Sequence, residues 1–161
     1  MSDSGAHLFM SGQCYYRHVD ELAFSVCAAR QLTDAYWREF LEGTYALSKK
    51  HGSLPKVTAV TFAHDYPNAA RRQLTAKFLA DHEVTNLLRT ALFTESVPLR
   101  GAMTAFSWFM QDTTLRAFAS DDVRSGFAWL RELGRFDMAQ ALNIWREAHV
   151  KVGLERPTLR P

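Results

Sequence analysis

The stretch from Leu87 to Met110, LLRTALFTESVPLRGAMTAFSWFM, limits the possible folds more than any other part of the chain. Leu88 to Phe93 is a compact apolar run of buried-strand length, broken only by Arg89 and Thr90. Thr94, Glu95 and Ser96 read as a polar turn, and Pro98 stands where a first helical residue loses nothing by lacking an N–H. Leu99, Ala102, Met103, Phe106, Phe109 and Met110 then recur at spacings of three and four, which is one face of a helix. A buried strand turning directly into an apolar helix belongs to a sheet with helices packed on it.

The flanking segments extend the same pattern. Leu8 to His18 and Leu22 to Ala29 read as two strands joined around Val19, Asp20 and Glu21; the second alternates Leu22, Phe24, Val26 and Ala28 with smaller residues. A turn centred between Asp20 and Glu21 sets Cys14 opposite Cys27, although Asp-Glu supplies neither Gly nor Asn for a tight hairpin. Thr33 caps a helix to about His51 with Trp37, Phe40, Leu41, Thr44 and Leu47 inward; Gly52 ends it and Pro55 prevents a restart. Lys56 to Ala63 is rich in β-branched residues and reads as a central strand. A helix from about Asn68 to Asp81 follows, with Ala70, Leu74 and Phe78 inward. After the Pro98 helix come a short strand, Leu115 to Ala119, and a helix with core face Val123, Phe127, Leu130 and Leu133. Asp137 and Gln140 open a last helix carrying Met138, Ala141, Leu142, Trp145 and Ala148 on one side.

The expected order is ββαβαβαβαα: an α/β single domain over 1–161, with a mixed sheet of about five strands, parallel in its later strands, and right-handed crossovers. The core spans about 8–133, with a C-terminal helical extension over about 136–153. A chain of 161 residues is large enough for a real core without staples. Its net charge of +2, spread along the chain, gives no concentrated basic face, so nucleic acid is not an expected partner. No apolar run is long enough to span a bilayer, no secretory signal is visible at the start, and two cysteines make no disulfide framework. A cytoplasmic protein with reduced thiols is the expectation.

The order of elements, with the apolar strand ending in TES, the VPLRGAMTAFSWFM helix and the LRAFASDDVRSGFAWLREL strand and helix, resembles the STAS domain of anti-sigma-factor antagonists, closest to a divergent bacterial STAS-like group. The likeness covers about Tyr15 to Leu133 in order of elements and is detailed only in the second half. It implies a non-enzymatic regulatory module that binds partner proteins and, in some branches, a nucleotide or an apolar ligand. Phosphorylated antagonists carry a Ser or Thr after the strand matching Lys56 to Ala63. Here that place reads HDYPNAARR and has neither.

Ligands on open α/β sheets collect outside the carboxyl ends of the strands. That rim gives His64, Asp65, Tyr66, Asn68, Glu95 and Ser96 as ligand candidates. His64, Asp65 and Glu95 have the right types for a metal or an acid–base group, but they also suit helix caps and solvated turns. No HExxH, CxxC, phosphate-binding glycine loop or nucleophile elbow occurs, so no cofactor is expected. His7, His18, His51, His82 and His149 are scattered and read as surface or helix-end residues. The aromatic surplus points elsewhere. Gly101, Ala105 and Trp108 flank the inner stripe of the Pro98 helix, while Trp129 and Ile144 lie off the inner faces of the last two helices. These five are the candidates for self-association or for a protein partner. Three readings follow: a STAS-like interaction module without chemistry of its own, a carrier or sensor with an apolar pocket near Trp37, Met103 and Phe106, and an enzyme built on His64, Asp65 and Glu95.

Overall fold

The computed structural model describes residues 6–9, 13–52, 54–107 and 114–161, with the backbone alone for 6–9 and 103–107. Strands β1 (Ala6–Phe9), β2 (Cys14–Val19) and β3 (Leu22–Cys27) lead into α1 (Asp34–His51), β4 (Val57–Phe62), α2 (Ala69–Asp81) and β5 (Arg89–Phe93). Then follow α3 (Val97–Ser107), β6 (Thr114–Phe118), α4 (Val123–Arg131) and α5 (Met138–Lys151). The α/β class and the mixed sheet are as expected, but the sheet has six strands in the order β1-β2-β3-β4-β5-β6. The run expected as one strand from Leu8 to His18 is two strands that pair antiparallel, Phe9 opposite Cys14. The run is not apolar throughout: it contains Ser11-Gly12, a dipeptide that marks turns.

β2 and β3 are antiparallel, and β3 to β6 pair parallel through α1, α2 and α3. Each strand lies beside its predecessor, so the three crossover helices share one face; α4 and α5 cover the other. Alternation along the strands divides the side chains. Phe24, Val57, Ala59, Ala91 and Phe93 face α4 and α5, whereas Cys27, Phe62 and Leu92 face α1 to α3.

The α4–α5 face is tightly filled. Trp145 is almost wholly buried, with ring centroids 5.0 Å from Phe93, 5.7 Å from Phe127 and 6.4 Å from Phe24. The last helix, read as an extension, thus supplies the centre of this core. Gly126 lets α4 lie directly on β5, since a Cβ there would stand 2.4 Å from the Phe93 ring. Leu133, expected in the core face of α4, is exposed because the helix ends at Arg131 and the chain turns away.

The Asp20-Glu21 turn forms in the expected register, Cys14 opposite Cys27, with Asp20 at φ 50°. Asp tolerates this left-handed conformation better than most residues. Tertiary bonds to Glu21 hold the turn: its carboxylate accepts from the Arg135 N–H at 2.8 Å and pairs with Lys56 at 2.8 Å, and its carbonyl accepts from the Lys56 N–H. The Lys56 bond first, then that from Arg135, lowers the Glu21 pKa to about 2. The cysteines are not reduced thiols: Cys14 and Cys27 form a disulfide with their Cα atoms 4.2 Å apart. The Ala28 N–H donates to the Gln13 carbonyl, so 14 and 27 occupy the adjacent non-hydrogen-bonded position, where cross-strand side chains come closest.

Candidate functional site

The rim residues are brought to one end of the sheet but are used for structure. The Asp65 carboxylate accepts from the backbone N–H groups of Leu32 at 2.7 Å and Tyr66 at 2.9 Å, which fixes the loop after β4. Asn68 caps α2 by accepting from the Arg71 N–H, and the Ser96 hydroxyl accepts from the Leu99 N–H at the start of α3. Tyr66 and Thr94 share a hydrogen bond at 3.2 Å, and Ser120 donates to Glu95 at 2.7 Å. His64 is exposed, and no hydrogen bond found among the described residues joins it to Asp65 or Glu95. Nor, among the described residues, do three or more His, Cys, Asp or Glu side chains come together to hold a metal. The sheet order supplies the reason. A crevice forms at a strand end where the order reverses and successive helices part to opposite faces, and this order never reverses.

The interface candidates also disperse. Ile144 is buried at 4% exposure in the α4–α5 core, so it offers nothing to a partner. Trp129 is half-buried against Phe118, with the Arg89 guanidinium 4.7 Å and that of Arg116 6.0 Å from its ring centroid. Ile144 is taken up because α5 packs into the core, and Trp129 because it lies against Phe118 and the two guanidinium groups. Gly101 is exposed on α3, Ala105 lies on the same helix, and Trp108 lies outside the described residues.

A different site lies on the α1–α2 face. α1 starts at Thr33, whose hydroxyl accepts from the Tyr36 N–H, and stops at Gly52, which adopts φ 98°. It lays Trp37, Phe40 and Leu41 on the sheet. α2 is different. None of its residues is buried; Leu74 and Phe78 are half-buried, and Ala70, expected inward, is exposed. α2 is joined to α1 by a Trp37 Nε1–H bond to the Thr75 hydroxyl at 2.8 Å and an edge-on contact of Tyr45 with Phe78. Beneath it remains an open cavity of about 190 Å³, walled by Trp37, Phe40, Phe78 and Leu79 over a floor of Val60 and Leu92. The periodicity of α2 names its apolar face but gives no sign that the face stands off from the sheet.

Several polar groups in this cleft are paired. Tyr16 and Ser48 are hydrogen-bonded at 2.7 Å, and burial raises the Tyr16 pKa to about 12, so the phenol stays neutral. Thr58 and Thr90, paired across β4 and β5, bond at 2.8 Å. Arg72 is the one charged residue among the described residues lining the cavity, and it donates to the Pro67 carbonyl. The cleft presents carbon surface and contains no paired nucleophile and base. Met103 and Phe106, expected beside Trp37, belong to the stretch described by backbone alone.

No protein-family model, no curated protein and no solved structure matches the chain. Among the described residues no helix is long and apolar enough to cross a membrane.

Proposed function

We propose that the protein binds a small apolar molecule between α1, α2 and the sheet, and acts as a carrier or sensor without covalent chemistry. The observation that carries this reading is the 190 Å³ cavity under a helix with no buried residue. An apolar cavity of about 150 Å³ stays dry and takes up benzene. This cleft therefore suits a single aromatic ring or a short branched chain, held by carbon contacts rather than by ionic groups. The resemblance to STAS domains is compatible with such a role, since regulation through a ligand needs no phosphorylatable Ser or Thr. The interaction surface inferred from Gly101, Ala105, Trp108, Trp129 and Ile144 is less well supported, because two of the five are engaged within the chain.

The test is binding of indole and of benzene, followed by thermal unfolding and by perturbation of the Trp37 side-chain amide signal in NMR. Wild type should be stabilised and Val60→Phe, which fills the floor, should not respond. A Trp37 signal and melting temperature unmoved by either probe would remove the reading.

A further inference from the structure

On the opposite side of the sheet, a second pocket of about 380 Å³ opens where α4, α5 and the C-terminal tail meet, lined by Arg124, Arg146, Arg156, Pro157, Thr158 and Leu159. The backbone brings this about stepwise. Gly153, at φ 80°, ends α5, and the Leu154 N–H bonds back to the His149 carbonyl. The tail then returns over α4, where Leu154 and Leu159 pack on the core and Arg160 pairs with Asp121 through both its backbone N–H and its side chain. Three segments distant in sequence thereby bring one arginine each to the same pocket.

The charge balance there is unusual. The chain as a whole carries only +2, yet no acidic residue is among those lining this pocket. Glu147 and Glu155, the sequence neighbours of two of the arginines, are not among them. The ion pairs found among the described residues engage Arg71, Arg89, Arg135 and Arg160, and none of the pocket's three. Arg146 is half-buried, and its Nε is enclosed with no hydrogen-bond acceptor. Like charges brought together repel, and a buried donor without an acceptor is costly. An anion with several oxygens relieves the first of these, the repulsion among the three guanidinium groups. Guanidinium groups present flat forks of N–H donors that match phosphate oxygens two at a time.

We propose that Arg124, Arg146 and Arg156 bind a phosphorylated ligand, a phosphate monoester or a diphosphate, independently of the apolar cleft. Arg146 approaches from within the pocket wall and the other two close on the anion from α4 and from the tail. The volume exceeds that of one phosphoryl group, leaving space for a second or for part of the molecule that carries it.

Calorimetric titration with pyrophosphate at fixed ionic strength tests this. Wild type should bind, and the double variant Arg124→Gln/Arg156→Gln, at exposed positions, should bind about tenfold or more weakly. Arg146→Lys keeps the charge but loses the fork and should also weaken binding. Arg38→Gln/Lys50→Gln, an equal loss of charge at exposed positions of α1, should leave it unchanged. Vesicles of phosphatidylcholine with and without phosphatidic acid separate a lipid headgroup from a soluble ester as the source of the phosphate. Retention of phosphatidic-acid vesicles by wild type but not by the double variant indicates the lipid. Absence of any binding to either probe overturns the proposal, as does a loss in Arg38→Gln/Lys50→Gln equal to that in Arg124→Gln/Arg156→Gln.

Discussion

His18 shows how much one side chain can deviate from its apparent role. By sequence it is one of several scattered histidines, yet it is 3% exposed on β2, with its ring 4.2 Å from that of His51. Neither of its nitrogens has a partner among the described residues. Burial first, and the neighbouring His51 second, lower its pKa to about 4, against an opposing contribution from Asp20. The unfolded chain, with a histidine pKa of about 6.5, therefore binds the proton more tightly than the folded one. Stability from this group is complete above pH 6.5 and is lost as pH falls toward 4, by on the order of 3 kcal/mol. Urea midpoints measured between pH 7 and 4 should fall in wild type and fall less in His18→Leu, where His149, which burial also holds below its ordinary value, keeps part of the slope. Glu21 acts in a separate, more acid window, between its ordinary range and about 2, so the two effects are resolved on the pH axis.

At the scale of elements, α1 and α2 cover the same face but are held differently. α1 buries Tyr36, Trp37, Phe40, Leu41 and Ser48, whereas α2 buries nothing and relies on a few contacts such as the Trp37–Thr75 bond. Helices with little buried surface open locally at low cost. Amide hydrogens of α2 should exchange well before those of α1, and Thr75→Val, losing a bond worth about 1 kcal/mol, should speed α2 exchange about fivefold without affecting α1. Indole should slow exchange in α2 selectively if it binds beneath that helix. The disulfide belongs to this scale as well. It joins residues 13 apart in sequence, for which the chain-entropy model gives about 3 kcal/mol of stabilisation. Reductant should lower the urea midpoint of wild type accordingly and leave Cys14→Ser unmoved.

These elements also show what the sequence made legible. Period-3.6 and alternating patterns located α1, α2, α4, α5, β3 to β6 and the start of α3 closely, because these elements lay an apolar face toward the sheet. The pairing of Cys14 with Cys27 followed from counting back from the turn. The break between β1 and β2 was legible in Ser11-Gly12, although the expectation ran one strand across it. An apolar pocket near Trp37 was expected, although nothing local shows the stand-off of α2 that opens it; the arginine pocket was hidden, since the meeting of Arg124, Arg146 and Arg156 leaves no local pattern. Rim residues such as Asp65 and Asn68 are the reverse case, since the chemistry that suits a ligand site equally suits a cap.

The whole molecule places an open, carbon-lined cleft on one face and a closed aromatic core on the other, with the arginine pocket beyond that core. The sheet between them grows outward one neighbour at a time. During synthesis, which proceeds from the N-terminus, every strand after β1 finds a partner already made. The covering of the two faces is less even. α1 to α3 are in place before β6 is complete, whereas the side carrying Phe24 and Phe93 stays bare until Phe127 and then Trp145 emerge. The nascent chain thus exposes its stickiest surface until α5 is made, and it is there that a ribosome-associated chaperone has most to protect.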